Sequence, residues 1–135
     1  MICPATPVHP ETLPIAGAPA NVPWVQATPH RAGIVGVLFA YDGAPTFDLW
    51  TNGLGPNGQA TKILWVIRNV HAALNVVVRG HDLGGPATFR QSFPVAGGHG
   101  AMYPSIVVIP SAGCWRLDVS SGGARGSLIV NAVPP

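Results

Sequence analysis

The clearest pattern in the chain lies near its end, where Trp115-Arg116-Leu117-Asp118-Val119-Ser120 alternates apolar and polar residues without a break. Successive side chains of an extended segment point to opposite faces, so these residues predict a strand with Trp115, Leu117 and Val119 inward and Arg116, Asp118 and Ser120 outward. Thr88 to Phe93 alternates in the same sense, placing Phe89 and Phe93 inward and Arg90 and Ser92 outward. Ser121-Gly122-Gly123-Ala124-Arg125-Gly126 reads as a turn into Ser127 to Val133, which closes a final hairpin.

Shorter apolar segments bounded by turn formers fill the rest of the body: Gly33 to Tyr41, Thr46 to Trp50, Leu74 to Gly80 and Tyr103 to Ile109. Asp42-Gly43-Ala44-Pro45 marks a tight connection, and Thr51 to Ala60, with two Asn-Gly pairs and Pro56, is a longer loop. Lys62 to Arg68 is apolar on both faces, which predicts a central strand covered on both sides or one with a face at an interface. A helix over Asn69 to Val78 is the one competing assignment. Its Val76-Val77-Val78 run prefers a pleated surface and Gly80 ends it, so a single turn is the most it allows. About seven to nine strands at this spacing predict an all-β, immunoglobulin-like β-sandwich over residues 31–135.

Residues 1–30 differ in kind, with prolines at positions 4, 7, 10, 14, 19, 23 and 29 and almost no alternation. This predicts an extended Pro-rich arm. Leu13, Ile15, Trp24 and Val25 would have little use on a free tail, so the arm is expected to pack on the body and to add one edge strand.

Composition narrows the class without changing the fold. With 135 residues, 47% of them apolar, the chain can bury one core. Gly and Pro occupy 17 and 15 positions, while Lys62 and Glu11 are the sole lysine and glutamate, a mixture hostile to helices. Net charge is +2, and Arg31, Arg68, Arg79, Arg90, Arg116 and Arg125 are spaced singly, so no nucleic-acid partner is expected. The longest apolar run, Gly33 to Tyr41, is far short of the roughly 20 residues of a membrane-spanning helix. The start Met1-Ile2-Cys3-Pro4 lacks a basic and apolar leader, which leaves any export signal upstream and Met1 as an added start.

Cys3 and Cys114 leave three readings open: a disulfide that pins the arm, a lipid carried by Cys3, or two plain thiols. The first two place the chain outside the cytoplasm. Cys3-Pro4, together with Tyr103-Pro104-Ser105 through Ile109-Pro110-Ser111-Ala112-Gly113-Cys114-Trp115-Arg116-Leu117 and the hairpin that follows, resembles a loose group of exported bacterial lipoproteins and secreted proteins of unknown function. The resemblance spans about a third of the chain, and it implies an exported immunoglobulin-like domain rather than any activity.

Candidate chemistry is sparse. His71, His81 and His99 with Met102 form the best metal set, and a soft Met ligand would suit copper, with zinc the other metal considered. Against it, no pair of histidines has a ligand-like spacing, and solvated loop imidazoles are the ordinary alternative. Ser92, Ser105, Ser111, Ser120, Ser121 and Ser127 lack a nucleophile-elbow setting, and Asp42, Asp48, Asp82 and Asp118 give few carboxylate pairs. Gly53 to Gly58 is glycine-rich but precedes no helix that could cradle phosphate. Trp65 and Trp115 belong in a core, whereas Trp24, Trp50 and Tyr41 stand beside loop residues where a flat ring can stack on a ligand. The sequence thus predicts a non-catalytic exported binding or structural protein without a cofactor, serving a protein or glycan partner or assembling with copies of itself. A His/Met metal-binding periplasmic protein is the third reading.

Overall fold

The computed structural model describes residues 2–14, 21–39, 47–55, 58, 60–68, 74–95 and 102–134. Ten strands lie among them, in two sheets of five. The first sheet runs, in spatial order, β1 (Val8–His9), β2 (Trp24–Gln26), β3 (Ile34–Leu38), β5 (Lys62–Ile67) and β8 (Met102–Ile106). The second runs β4 (Asp48–Trp50), β10 (Ala124–Val133), β9 (Gly113–Ser121), β6 (Val76–Asp82) and β7 (Thr88–Phe93). The sheets stack as the expected sandwich, with ten strands where seven to nine were anticipated. All pairings are antiparallel except that of β4 with β10.

The core follows the alternation. Trp115, Leu117 and Val119 from β9 meet Ile63, Trp65 and Ile67 from β5, with Tyr103, Phe47, Leu128 and Val130 around them. The Tyr103 hydroxyl lies 3.0 Å from Ser121 Oγ, joining the two sheets through a buried polar contact. Phe89 tilts against Trp115 with ring centroids 5.5 Å apart. Its cross-strand partner is Gly80, where a Cβ would run into the Phe89 ring. A glycine there leaves the space that the ring fills.

The first thirty residues contribute two strands, β1 and β2, where one edge strand was anticipated. Val25 and Ala27 reach the core with no measurable exposure. Leu13, Trp24, Val35, Val37 and Val66 form a second apolar cluster on the outer face of the first sheet. This cluster accounts for the doubly apolar pattern of β5: Ile63, Trp65 and Ile67 face the sandwich interior, while Val66 packs beneath the arm with Leu64 beside it.

The same N-terminal segments also cover the outer edge of β10. Thr28 exchanges backbone hydrogen bonds with Ser127, at 2.9 and 2.8 Å. Thr6 N–H donates to the Ile129 carbonyl, and Ile129 N–H donates to Thr6 Oγ1, both at 2.8 Å. Asn131 N–H then donates to the Phe47 carbonyl, where β4 begins its pairing. Three separate pieces of chain therefore satisfy one strand edge that would otherwise offer unpaired backbone groups. A disulfide between Cys3 and Cys114 fastens the arm to β9.

The strand anticipated over Tyr103 to Ile109 ends at Ile106. Beyond it the Gln91 side-chain amide replaces the ladder, its Nε2 donating to the Val108 carbonyl and its Oε1 accepting from Val108 N–H, each at 3.1 Å. Pro104, which lacks an N–H, is accommodated because β8 is an edge strand.

Candidate functional site

Register decides which outward residues of the second sheet become neighbours. Arg79 on β6 stands opposite Arg90 on β7 and opposite Asp118 on β9, and Asp118 in turn stands opposite Ser127 on β10. One row above, His81 stands opposite Arg116. One row below, Ser120 stands opposite Arg125. Four of the six arginines, spaced singly in sequence, thus share one solvent-facing surface with a single carboxylate among them.

That carboxylate is heavily engaged. Ser127 Oγ donates to Asp118 Oδ1 at 2.7 Å, and Arg116 donates from Nε to Oδ1 at 3.1 Å and from Nη2 to Oδ2 at 3.3 Å. His81 Nε2 lies 3.1 Å from Oδ2. Arg79, Arg90 and Arg125 have no carboxylate partner among the described residues. Like charges directly opposite one another on a sheet destabilise it, so the Arg79–Arg90 pairing is a local cost carried by the fold.

Ser127, Asp118 and His81 invite comparison with a nucleophilic triad, but the order is wrong. In a triad the imidazole takes the hydroxyl proton and the carboxylate orients the imidazole. Here the carboxylate sits between hydroxyl and imidazole, so the His81 imidazole is not placed to take the Ser127 proton. The arrangement braces Asp118 and the arginine beside it.

Beside this surface, three depressions run end to end along the seam where β10 meets the N-terminal segments. The first, about 550 Å³, is lined by Pro4, Thr6, Pro7 and His9 on one side and by Arg116 and Ile129 on the other. The second, about 600 Å³, is lined by Arg79, Asp118, Ser120 and Arg125. It shares Thr28 and Ser127 with the first. The third, about 370 Å³, lies between Arg31 and Gly123, and shares Pro29 and Arg125 with the second.

The residues singled out from sequence are distributed differently. Trp24 is buried, at 8% exposure, with its indole N–H donated to the Glu11 carbonyl at 2.9 Å and its face stacked on His9. It holds the arm and offers no free ring face. Trp50 is half-buried, and its indole lies against Gly55. Tyr41, His71 and His99 lie outside the described residues, as does Asp42. Of the proposed metal set, His81 belongs to the second sheet and Met102 to the first. Among the described residues no three His, Cys, Asp or Glu side chains are grouped to hold a metal ion. Both cysteine sulfurs are consumed by the disulfide, so Cys3 in this state has no thiol to carry a lipid.

Leu54, Ile106 and Val108 are exposed, and Gly53 packs against the latter two. They are the apolar side chains left on the outer edge of the first sheet once the arm has covered its centre. No helix among the described residues is long and apolar enough to cross a membrane.

The spacing of the arginines along the chain carries no sign of this surface. Outward parity was legible for Arg90, Arg116 and Asp118 individually, but only strand order and register bring Arg79 and Arg125 beside them. These features define a disulfide-fastened β-sandwich with one basic sheet face. Comparison with known protein families, curated proteins and solved structures returned no match to the chain.

Proposed function

We propose that this protein is a non-catalytic, exported binding module that captures an anionic partner on the outer face of its second sheet. The observation carrying this reading is the row Arg90–Arg79–Asp118–Ser127, in which two guanidinium groups are set opposite one another with no carboxylate of their own. A fold that tolerates such repulsion retains charge that an anion can use, because guanidinium forks bind carboxylate, sulfate and phosphate oxygens through paired hydrogen bonds. Export is supported by the Cys3–Cys114 bond, since a disulfide persists in oxidising compartments and is rare where glutathione keeps thiols reduced.

Calorimetric titration with tripolyphosphate at low ionic strength tests the reading. Binding should weaken with added salt, fall in Arg79→Gln and Arg125→Gln, and persist in Arg68→Gln, which lies beyond the end of β5 in the other sheet. Absence of binding in the folded wild type, or an equal loss in Arg68→Gln, would remove the basis for this function.

A further inference from the structure

We infer that the anionic partner is a linear acidic polysaccharide, carboxylated or sulfated, lying lengthwise along the seam beside β10; this rests on the anion-binding reading above.

Continuity is the first ground. The three depressions share lining residues in pairs and follow β10 from Ile129 to Ala124. Five steps of about 3.4 Å make that course roughly 17 Å long. A compact anion would fill one depression, whereas an extended chain occupies all three.

The spacing of charge is the second ground. Arg116 serves the first depression, Arg79 and Arg125 the second, and Arg31 with Arg125 the third. Cations recur along the course instead of converging on one point, which matches a polymer whose anionic groups recur at intervals.

The groups between the arginines distinguish the class of polymer. Thr28, Ser120 and Ser127 are hydroxyl residues of the second depression, and Asp118, about one-third exposed, is a carboxylate in its wall. A DNA phosphodiester backbone presents acceptors alone and offers no donor to these hydroxyl oxygens. A sugar ring between two acidic groups carries hydroxyl donors that the oxygens of Thr28, Ser120 and Ser127 accept. Pro4 and Pro7 in the first depression and Pro29 in the next two supply rigid apolar surface for the C–H faces of sugar rings. His9, itself stacked on Trp24, is the one aromatic ring in the described lining, whereas single-stranded nucleic acids depend on rings in series.

The test is a calorimetric length series with size-defined oligogalacturonates and heparin-derived oligosaccharides of two to eight sugars. One or both series should gain affinity steeply with length and then level off once the seam is filled. Arg31→Gln and Arg116→Gln, at opposite ends, should each weaken the longest oligomer about five- to tenfold and the disaccharide by a smaller factor. Circular dichroism of each variant verifies that it is folded. Affinity independent of length, or no binding by either series, would overturn the polysaccharide inference while tripolyphosphate binding preserves the anion site. Tighter binding of single-stranded DNA of equal charge would overturn it in favour of nucleic acid. Loss of tripolyphosphate binding as well would bring down the underlying reading.

Discussion

Replacing Cys3 and Cys114 together by serine removes a cross-link whose partners are 111 residues apart. In the chain-entropy account, a closed loop of that length restricts the unfolded ensemble by about 16 cal/mol/K, or about 4.8 kcal/mol at 25 °C. A domain of this kind has a total stability of roughly 5–15 kcal/mol, so the loss is a large fraction of it. Detachment of the arm alone does not relieve the penalty. Val25 and Ala27 belong to the core, and Thr6 and Thr28 satisfy the edge of β10. Undocking them would open both sheets. Urea denaturation followed by tryptophan fluorescence measures the effect. With a slope of about 1.5–2 kcal/mol per molar urea, the midpoint should fall by about 2–3 M, and the slope should rise as the freed unfolded chain expands. A midpoint shift under about 0.5 M would refute the view that the bond acts by restricting the unfolded chain.

Three further substitutions probe separate parts of the account. Gly80→Ala forces a Cβ into the Phe89 ring and should cost about 1–3 kcal/mol in urea denaturation. The same change made on a Phe89→Ala background should cost far less, since the obstructing ring is gone. Arg90→Gln removes the repulsion with Arg79 and should raise stability by about 0.5 kcal/mol at low ionic strength, a gain that shrinks in 1 M salt. A loss of stability in that variant would mean that Arg90 contributes contacts outweighing the repulsion. Leu13→Ala empties the cluster between the arm and the first sheet and should cost about 2–3 kcal/mol, with limited proteolysis cutting the arm first. An unchanged midpoint there would show that the cluster adds nothing to the docking of the arm.

Much of the architecture was legible because it is written in local alternation. Trp115, Leu117 and Val119 are inward as their period predicts, and Phe89 packs toward the core with Arg90 outward on the same strand. Turn chemistry around Gly122-Gly123 placed the final hairpin. What escaped was everything that depends on pairing across long sequence distances. The apolar outer face of β5 reads equally as an interface or as a covered face, and the answer lies some fifty residues away in Leu13. Trp24 sits among prolines and polar residues, and only its register against β1 and β3 turns it into an anchor under His9. The arginine face is the extreme case. Arg79, Arg90, Arg116 and Arg125 are eleven, twenty-six and nine residues apart in turn, spacings with no common period. Two hairpins and a β6–β9 pairing are needed before they meet.

On the proposed reading, an anionic chain meets this protein along β10 and the arginine rows beside it. Amide chemical-shift mapping of the isotope-labelled protein, titrated with an acidic hexasaccharide, tests it most directly. Perturbations are expected to concentrate at Thr28, Arg79, Asp118, Ser120 and Gly123 through Ile129. Shifts confined to Met102 through Val108 on the edge of the first sheet, or absent at saturating ligand, would contradict it.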